Sequence, residues 1–169
     1  MMKMRMLCLM MALSSQMALG SVCGTSTAEV AVSGLGINFD AEAPVTCTYT
    51  KSAGSVTGLF TVRIKDMKTG ITLRDEHLAD ALKATDNPEL KFSLTAWPVK
   101  SGPIAGELTL NGKTLPVKDW QAVVDGSKVR VKGTVDYTAY GLESAKYKKA
   151  GVTLATCPNV VGVSVEISL

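Results

Sequence analysis

The chain has 169 residues, 46% hydrophobic and 20% charged, which suffices for one compact domain and falls short of two of ordinary size. That balance excludes a disordered tail and collagen-like or repeat-array architectures. The formal charge of +3 owes much to Lys3 and Arg5 at the start. The remainder is near neutral, with one dense basic patch at Lys146, Lys148 and Lys149 that reads as a solvated loop, and gives no electrostatic case for nucleic acid or an anionic membrane.

Residues 1–20 are compositionally foreign to the rest, since seven of the eight methionines fall within the first 17 positions. Lys3 and Arg5 precede an apolar run from Met6 to Leu13, followed by Ser14, Ser15, Gln16 and the small-residue ending Ala18-Leu19-Gly20. This is the order of a secretory signal peptide, with cleavage expected after Gly20. The run is far shorter than the ~20 residues a membrane helix needs. Residues 21–169 are therefore expected to form a single soluble domain, periplasmic or secreted. Lipoprotein processing at Cys23 is the rival reading, although Val22 stands where such sites prefer a small residue.

Export fits the cysteine usage. Cys8 leaves with the leader, and Cys23, Cys47 and Cys157 allow one disulfide and one spare thiol. Their spacings of 24 and 110 residues match no zinc pattern, and His77 stands alone, so no metal and no other cofactor is expected.

Along residues 21–169 the dominant signal is alternation of period two in short segments between Gly, Pro, Asn and Asp clusters. Val30 and Val32 begin it. Ser33-Gly34-Leu35-Gly36 is too short and strand-like for a phosphate loop, and its glycines read as relief of crowding where a strand bends. Val45, Cys47 and Tyr49 continue the pattern, and Phe60, Val62 and Ile64 alternate with Thr61, Arg63 and Lys65. The rhythm then breaks. Leu78 and Leu82 recur at helical spacing in a stretch rich in Leu, Ala, Asp and Glu, which predicts a short helix over 75–84, ended by Pro88.

Alternation resumes with Leu90, Phe92 and Leu94, then Leu108 and Leu110, then Val129, Val131 and Val135, and finally Val163, Val165 and Ile167. Asn111-Gly112 and Asp125-Gly126 are tight-turn signals joining antiparallel neighbours. Trp97 and Trp120 fall at strand ends, where a half-buried indole with a wet edge is the ordinary case. About eight strands result, which a sheet closed on itself accommodates without an exposed edge. The expected fold is all-β: a closed antiparallel eight-stranded barrel with one short helical segment.

Five stretches carry a family resemblance. Thr69-Gly70, Arg74-Asp75-Glu76-His77-Leu78 and Asn87-Pro88-Glu89-Leu90-Lys91-Phe92 come first. Gly106-Glu107-Leu108-Thr109-Leu110-Asn111-Gly112-Lys113-Thr114-Leu115-Pro116-Val117 follows, and then Asp136-Tyr137-Thr138-Ala139-Tyr140-Gly141-Leu142. In order and spacing, over roughly residues 56–169, they resemble the YceI-like family of periplasmic lipid-binding barrels with a lipocalin-like shape. The N-terminal part departs from it, being shorter and poorer in aromatics ahead of the Arg-Asp-x-His-Leu run.

The resemblance implies a barrel that holds a long apolar molecule such as a polyisoprenoid or a fatty-acid-like lipid. The inward residues Phe60, Val62, Ile64, Phe92, Leu94, Leu108, Leu110, Val131, Val165 and Ile167 would contact it, and Arg74 and His77 would touch a polar head at the mouth. Small inward positions such as Gly133 and Ala96 favour a cavity. The same alternation suits a filled core, and with it a secreted interaction or structural module without ligand. Arg74, Asp75 and His77 also invite a catalytic reading, but no activated serine or Gly-x-Ser-x-Gly elbow accompanies them. A hydrogen-bonded cluster pinning the helical turn over the mouth is the plainer reading, and no enzyme activity is expected. In a closed barrel, Cys157 just before the last strand would approach the 39–47 region, so the expected disulfide is Cys47–Cys157. Cys23–Cys157 is the next alternative and no bond the third.

Overall fold

The computed structural model describes residues 20–34, 37–52, 54–144, 146–149 and 152–169. The expected leader, residues 1–20, therefore lies outside them except for Gly20, as do Leu35 and Gly36 of the turn read as a bend. The elements in chain order are β1 (Ser21–Val22), β2 (Thr27–Gly34), β3 (Ile37–Ser52), β4 (Ser55–Arg63) and a 3-10 turn (Ile64–Asp66). Then come α1 (Thr72–Ala81), β5 (Glu89–Trp97), β6 (Gly102–Pro103), β7 (Gly106–Leu110), β8 (Lys113–Pro116), β9 (Gln121–Asp125) and β10 (Lys128–Asp136). A second 3-10 turn (Tyr137–Tyr140), β11 (Lys146–Lys149), β12 (Val152–Thr156) and β13 (Val160–Ser168) complete the chain.

The strands pair antiparallel in the order β6-β9-β10-β13-β2-β3-β4-β5-β7-β8, with β1 added to β3, while β11 and β12 form a hairpin of their own. Among the described residues this is an open, strongly curled half-barrel of ten strands. It is not the expected closed eight-stranded barrel. The reason lies at the ends of the ladder, where β6 and β8 are short and each ends in proline, at Pro103 and Pro116. A proline lacks the N–H that would extend a ladder, so both edges stop pairing there. The curl still brings the ends together in sequence, because two residues separate β6 from β7. At one end of the gap, side chains bridge what strands do not: Asn111 Nδ2 donates to the Tyr140 carbonyl at 3.1 Å and Lys113 Nζ to that of Ala139.

β3 shows how the alternation works. Ala41, Ala43, Val45, Cys47 and Tyr49 are buried while their neighbours face outward. The strand changes partners at Pro44, its first half pairing with β2 and its second with β4. The free side of the first half meets Glu42 and Lys68 in an isolated bridge, and α1 lies over this gap. There Ile64, Met67 and Ala84 pack on Ala41 and Ala43.

α1 starts a turn earlier than the spacing predicts and ends before Pro88. Lys83 adopts φ 53°, its N–H donates to the Asp80 carbonyl, and the Ala84 N–H donates to that of Ala79. This pair of bonds is the Schellman arrangement, here with lysine where glycine is usual. Asn111 and Gly112 both have positive φ, as a two-residue I′ hairpin requires. The second tight turn is displaced by one residue: Asp125 pairs with Lys128, leaving Gly126-Ser127 as the loop. The lysine patch is strand β11, not a loop. A register shift between Val56 and Gly58 against β5 turns Ala96 out to solvent and Trp97 in, so Ala96 leaves no interior space.

The disulfide joins Cys23 to Cys47, with Cα atoms 5.4 Å apart, and Cys157 is free. The expected Cys47–Cys157 pairing is thus corrected. The second half of β3 runs away from the end where β13 starts, and the strand-bound segment around β1 brings Cys23 beside it. A non-reducing peptide map should recover Cys23 linked to Cys47 and Cys157 as a free thiol. Cys23→Ala should cost about 3 kcal/mol in denaturant unfolding, as the chain-entropy model gives for a loop of this size. A map joining Cys157 to either partner would contradict the pairing.

Candidate functional site

The upper half of the curled sheet encloses a cavity of about 740 Å³, inside the roughly 300–1,000 Å³ range of small-molecule sites. Its walls are the inward residues of the long strands, among them Val30 and Val32 on β2, Val45 on β3, Leu90 on β5 and Val161 and Val163 on β13. α1 supplies one side. Arg74, His77, Leu78, Ala81 and Leu82 all face the cavity, and their spacing of i, i+3, i+4, i+7, i+8 is one helical stripe. Ile71 and Leu73 at the start of α1 are exposed.

Ten of the twelve residues expected to contact a ligand lie on this wall: Phe60, Val62, Phe92, Leu108, Leu110, Val131, Val165, Ile167, Arg74 and His77. Two do not. β4 ends at Arg63, one residue before Ile64, which is buried instead in the 3-10 turn, packed with Ala41 and Ala43. Leu94 lies deeper, around a separate void of about 20 Å³ with Trp97, Ile104 and Val129.

A layer of aromatic rings separates the two volumes. Phe92 stacks on Trp120 with centroids 5.3 Å apart and planes at 26°, and Phe60 lies 6.1 Å from Phe92. Phe60, Phe92, Val131 and Ile167 border both the cavity and the void. The rings fit because two strands lack a side chain beneath them. A Cβ on Gly106 would stand 2.6 Å from the Phe92 ring, and one on Gly133 would overlap Trp120 Cδ1. Gly133 therefore does not leave empty space, as its size suggests; the indole fills it. Trp120 is 4% exposed and its Nε1 donates to the Thr134 carbonyl at 3.1 Å, so it has no wet edge. Trp97 is as buried as Trp120, against the half-buried expectation for both.

Polar groups gather at the opposite end. Asn38 and Phe39 on β3, Arg74 and His77 on α1, and Tyr137, Glu143 and Cys157 around the last connection form the rim. The Arg74 guanidinium sits 4.7 Å from the Phe39 ring centroid, a cation–π contact that fastens α1 to β3. Burial pushes the Cys157 thiol up from its ordinary value.

Asp75 is turned away from His77. Its Oδ1 accepts from the Thr69 hydroxyl and the Thr69 N–H, both at 2.7 Å. Those bonds, the hydroxyl foremost, hold its carboxyl below the ordinary value of 3.8. The carboxylate thus ties the preceding loop to the first turn of α1 rather than orienting an imidazole. Among the described residues no group of three His, Cys, Asp or Glu converges as a metal site, and no helix is long and apolar enough to cross a membrane.

The helical stripe of α1 was open to sequence reading, since residues 74, 77, 78, 81 and 82 fall on one face. Trp120 was not, because its burial depends on Gly133, distant in sequence and one strand over.

An antiparallel half-barrel with a hollow, polar-rimmed upper half defines a small-ligand-binding class of fold. The model of the YceI-like domain matches residues 19–169, and the chain belongs to that family. Its fold is similar to that of BcnA from Burkholderia cenocepacia, at 13% identity and TM-score 0.63, covering 85% of this chain and 96% of that one. It is also similar to a polyisoprenoid binding domain from Saccharophagus degradans implicated in plant cell wall breakdown, at 13% identity and TM-score 0.58, covering 89% and 100%. A YCEI protein of Campylobacter jejuni matches at 17% identity and TM-score 0.54, over 74% and 81%. No curated protein matches the sequence.

The ring layer makes a local prediction. Gly133→Ala should destabilise the protein by about 1–3 kcal/mol in denaturant unfolding, the range for overpacking a filled site. The same change should cost much less in a Trp120→Leu background. Gly162→Ala, whose Cβ would meet Ala31 at an ordinary 3.8 Å, should stay near wild type. Equal costs for Gly133→Ala in both backgrounds would mean that the indole does not occupy the space.

Proposed function

We propose that this chain binds a long apolar molecule, a polyisoprenoid or fatty-acid-like lipid, and sequesters or carries it outside the cytoplasm without performing chemistry on it. The observation that carries the reading is the cavity of about 740 Å³ walled by Val, Leu, Ile and Phe, with its polar groups confined to one end. An apolar cavity of this kind offers water few partners and takes up apolar guests instead. Each Å² of guest surface removed from water contributes roughly 25 cal/mol. The fold it shares with a polyisoprenoid binding domain supports the choice of chain-like ligand.

In this reading Phe60, Val62, Phe92, Leu108, Leu110, Val131, Val165 and Ile167 contact the chain, and Arg74 and His77 meet its polar end. Residues 1–20 act as an export leader and 21–169 as the binding domain. The Cys23–Cys47 bridge supports an oxidising destination, periplasmic or secreted, because such bonds persist there and are rare in the cytosol.

An organic extract of protein purified from its exported fraction should yield a stoichiometric long-chain lipid by mass spectrometry. Leu110→Trp, which fills the cavity, should fold and lose that lipid. Cys157 on the rim should react more slowly with a thiol reagent in lipid-loaded protein than after delipidation. A folded Leu110→Trp protein with a full lipid load, or hydrolysis of a generic ester that disappears with His77→Ala, would overturn the reading.

A further inference from the structure

We propose that Phe92 and Trp120 set the longest chain the cavity accepts, an inference that rests on the apolar-chain reading above. The interior is one continuous apolar space interrupted by a layer of rings, since Phe60, Phe92, Val131 and Ile167 face both the cavity above and the void below. That void, about 20 Å³, has room for roughly one water-sized probe and none for a further stretch of chain.

The layer is fixed in place from behind. Phe92 lies against the backbone of β7 at Gly106, and Trp120 lies against β10 at Gly133. The Trp120 Nε1 bond to the Thr134 carbonyl sets the indole's orientation. A chain end that reaches the rings meets flat faces already in van der Waals contact with main chain. Further carbons must then project from the mouth into water, where they add nothing.

Affinity should accordingly climb with chain length and then stop. A homologous series of straight-chain 1-alkanols, titrated by calorimetry into delipidated protein, reads this directly. Each added carbon should raise affinity about fourfold while it is buried, the equivalent of the transfer free energy of one CH₂. Beyond the break the curve should be flat. Phe92→Ala joins the void to the cavity and should move the break to longer chains. Val163→Phe, which adds a ring just above the layer, should move it to shorter ones. Leu78→Ala, on the α1 wall, should weaken every alkanol and leave the break where it was. Should Phe92→Ala fail to fold, Phe92→Leu and Trp120→Leu carry the same expectation in smaller degree.

A break that stays fixed in folded floor variants, or a wild-type series that climbs without a break, would overturn the assignment while leaving the apolar-chain reading intact. Failure of every alkanol to bind wild-type protein would overturn both.

Discussion

Two missing side chains govern the interior. Gly106 on β7 and Gly133 on β10 give up the space a Cβ would take, and the rings of Phe92 and Trp120 occupy it. Stacked aromatics of this kind contribute about 0.5–1.5 kcal/mol beyond the area they bury. Their larger effect here is positional, because rings seated against main chain cannot slide along the barrel. Below them, Val56, Leu94, Trp97, Ile104 and Val129 fill the space almost completely. Above them, the side chains that remain are mostly Val, Leu and Ala, too small to meet across the interior. The protein is thus filled in one half and hollow in the other, and the ring layer is the boundary.

The hollow half lacks a full complement of strands, and α1 makes up the difference. Before Pro44, the first half of β3 has no β4 partner, so the backbone of Glu42 meets Lys68 instead. The helix covers the opening with a stripe of five residues. It is held by contacts at both ends: the Thr69–Asp75 bonds and the Arg74–Phe39 contact at the start, the Schellman arrangement around Lys83 at the finish. The stripe runs from polar at Arg74 and His77 to apolar at Ala81 and Leu82. The wall it forms therefore has a wet and a dry end, matching the polarity of a lipid whose head stays near solvent. The Arg-Asp-x-His cluster is better explained as this fastening than as a catalytic group, since its carboxylate is spent on Thr69.

Much of this was legible in the chain. Alternation located every long strand, and it put eight of its ten named residues on the cavity wall, because a period of two fixes a face once one face is buried. What escaped were features that depend on partners far apart in sequence. The bulge opposite Val56 reverses the phase after Leu94 and exchanges Ala96 for Trp97. Trp120 looks like an ordinary strand-end indole until Gly133 is set beneath it. The Cys23–Cys47 pairing escaped because β3 is 16 residues long: β13 does pair with β2, but Cys47 lies on the far half of β3, where β1 brings Cys23 to it. The choice between hollow and filled had no answer in composition, since one molecule does both.

The central claim is that an apolar chain enters tail first and ends against the ring layer. Quenching of Trp120 fluorescence by bromine, which acts at contact range, tests it most directly in Trp97→Phe protein loaded with alkanols brominated at one carbon. A bromine at the chain terminus should quench Trp120 strongly, and one beside the hydroxyl should quench it weakly, for an alkanol long enough to span the cavity. Equal quenching from the two positions, or stronger quenching from the hydroxyl end, would contradict the account.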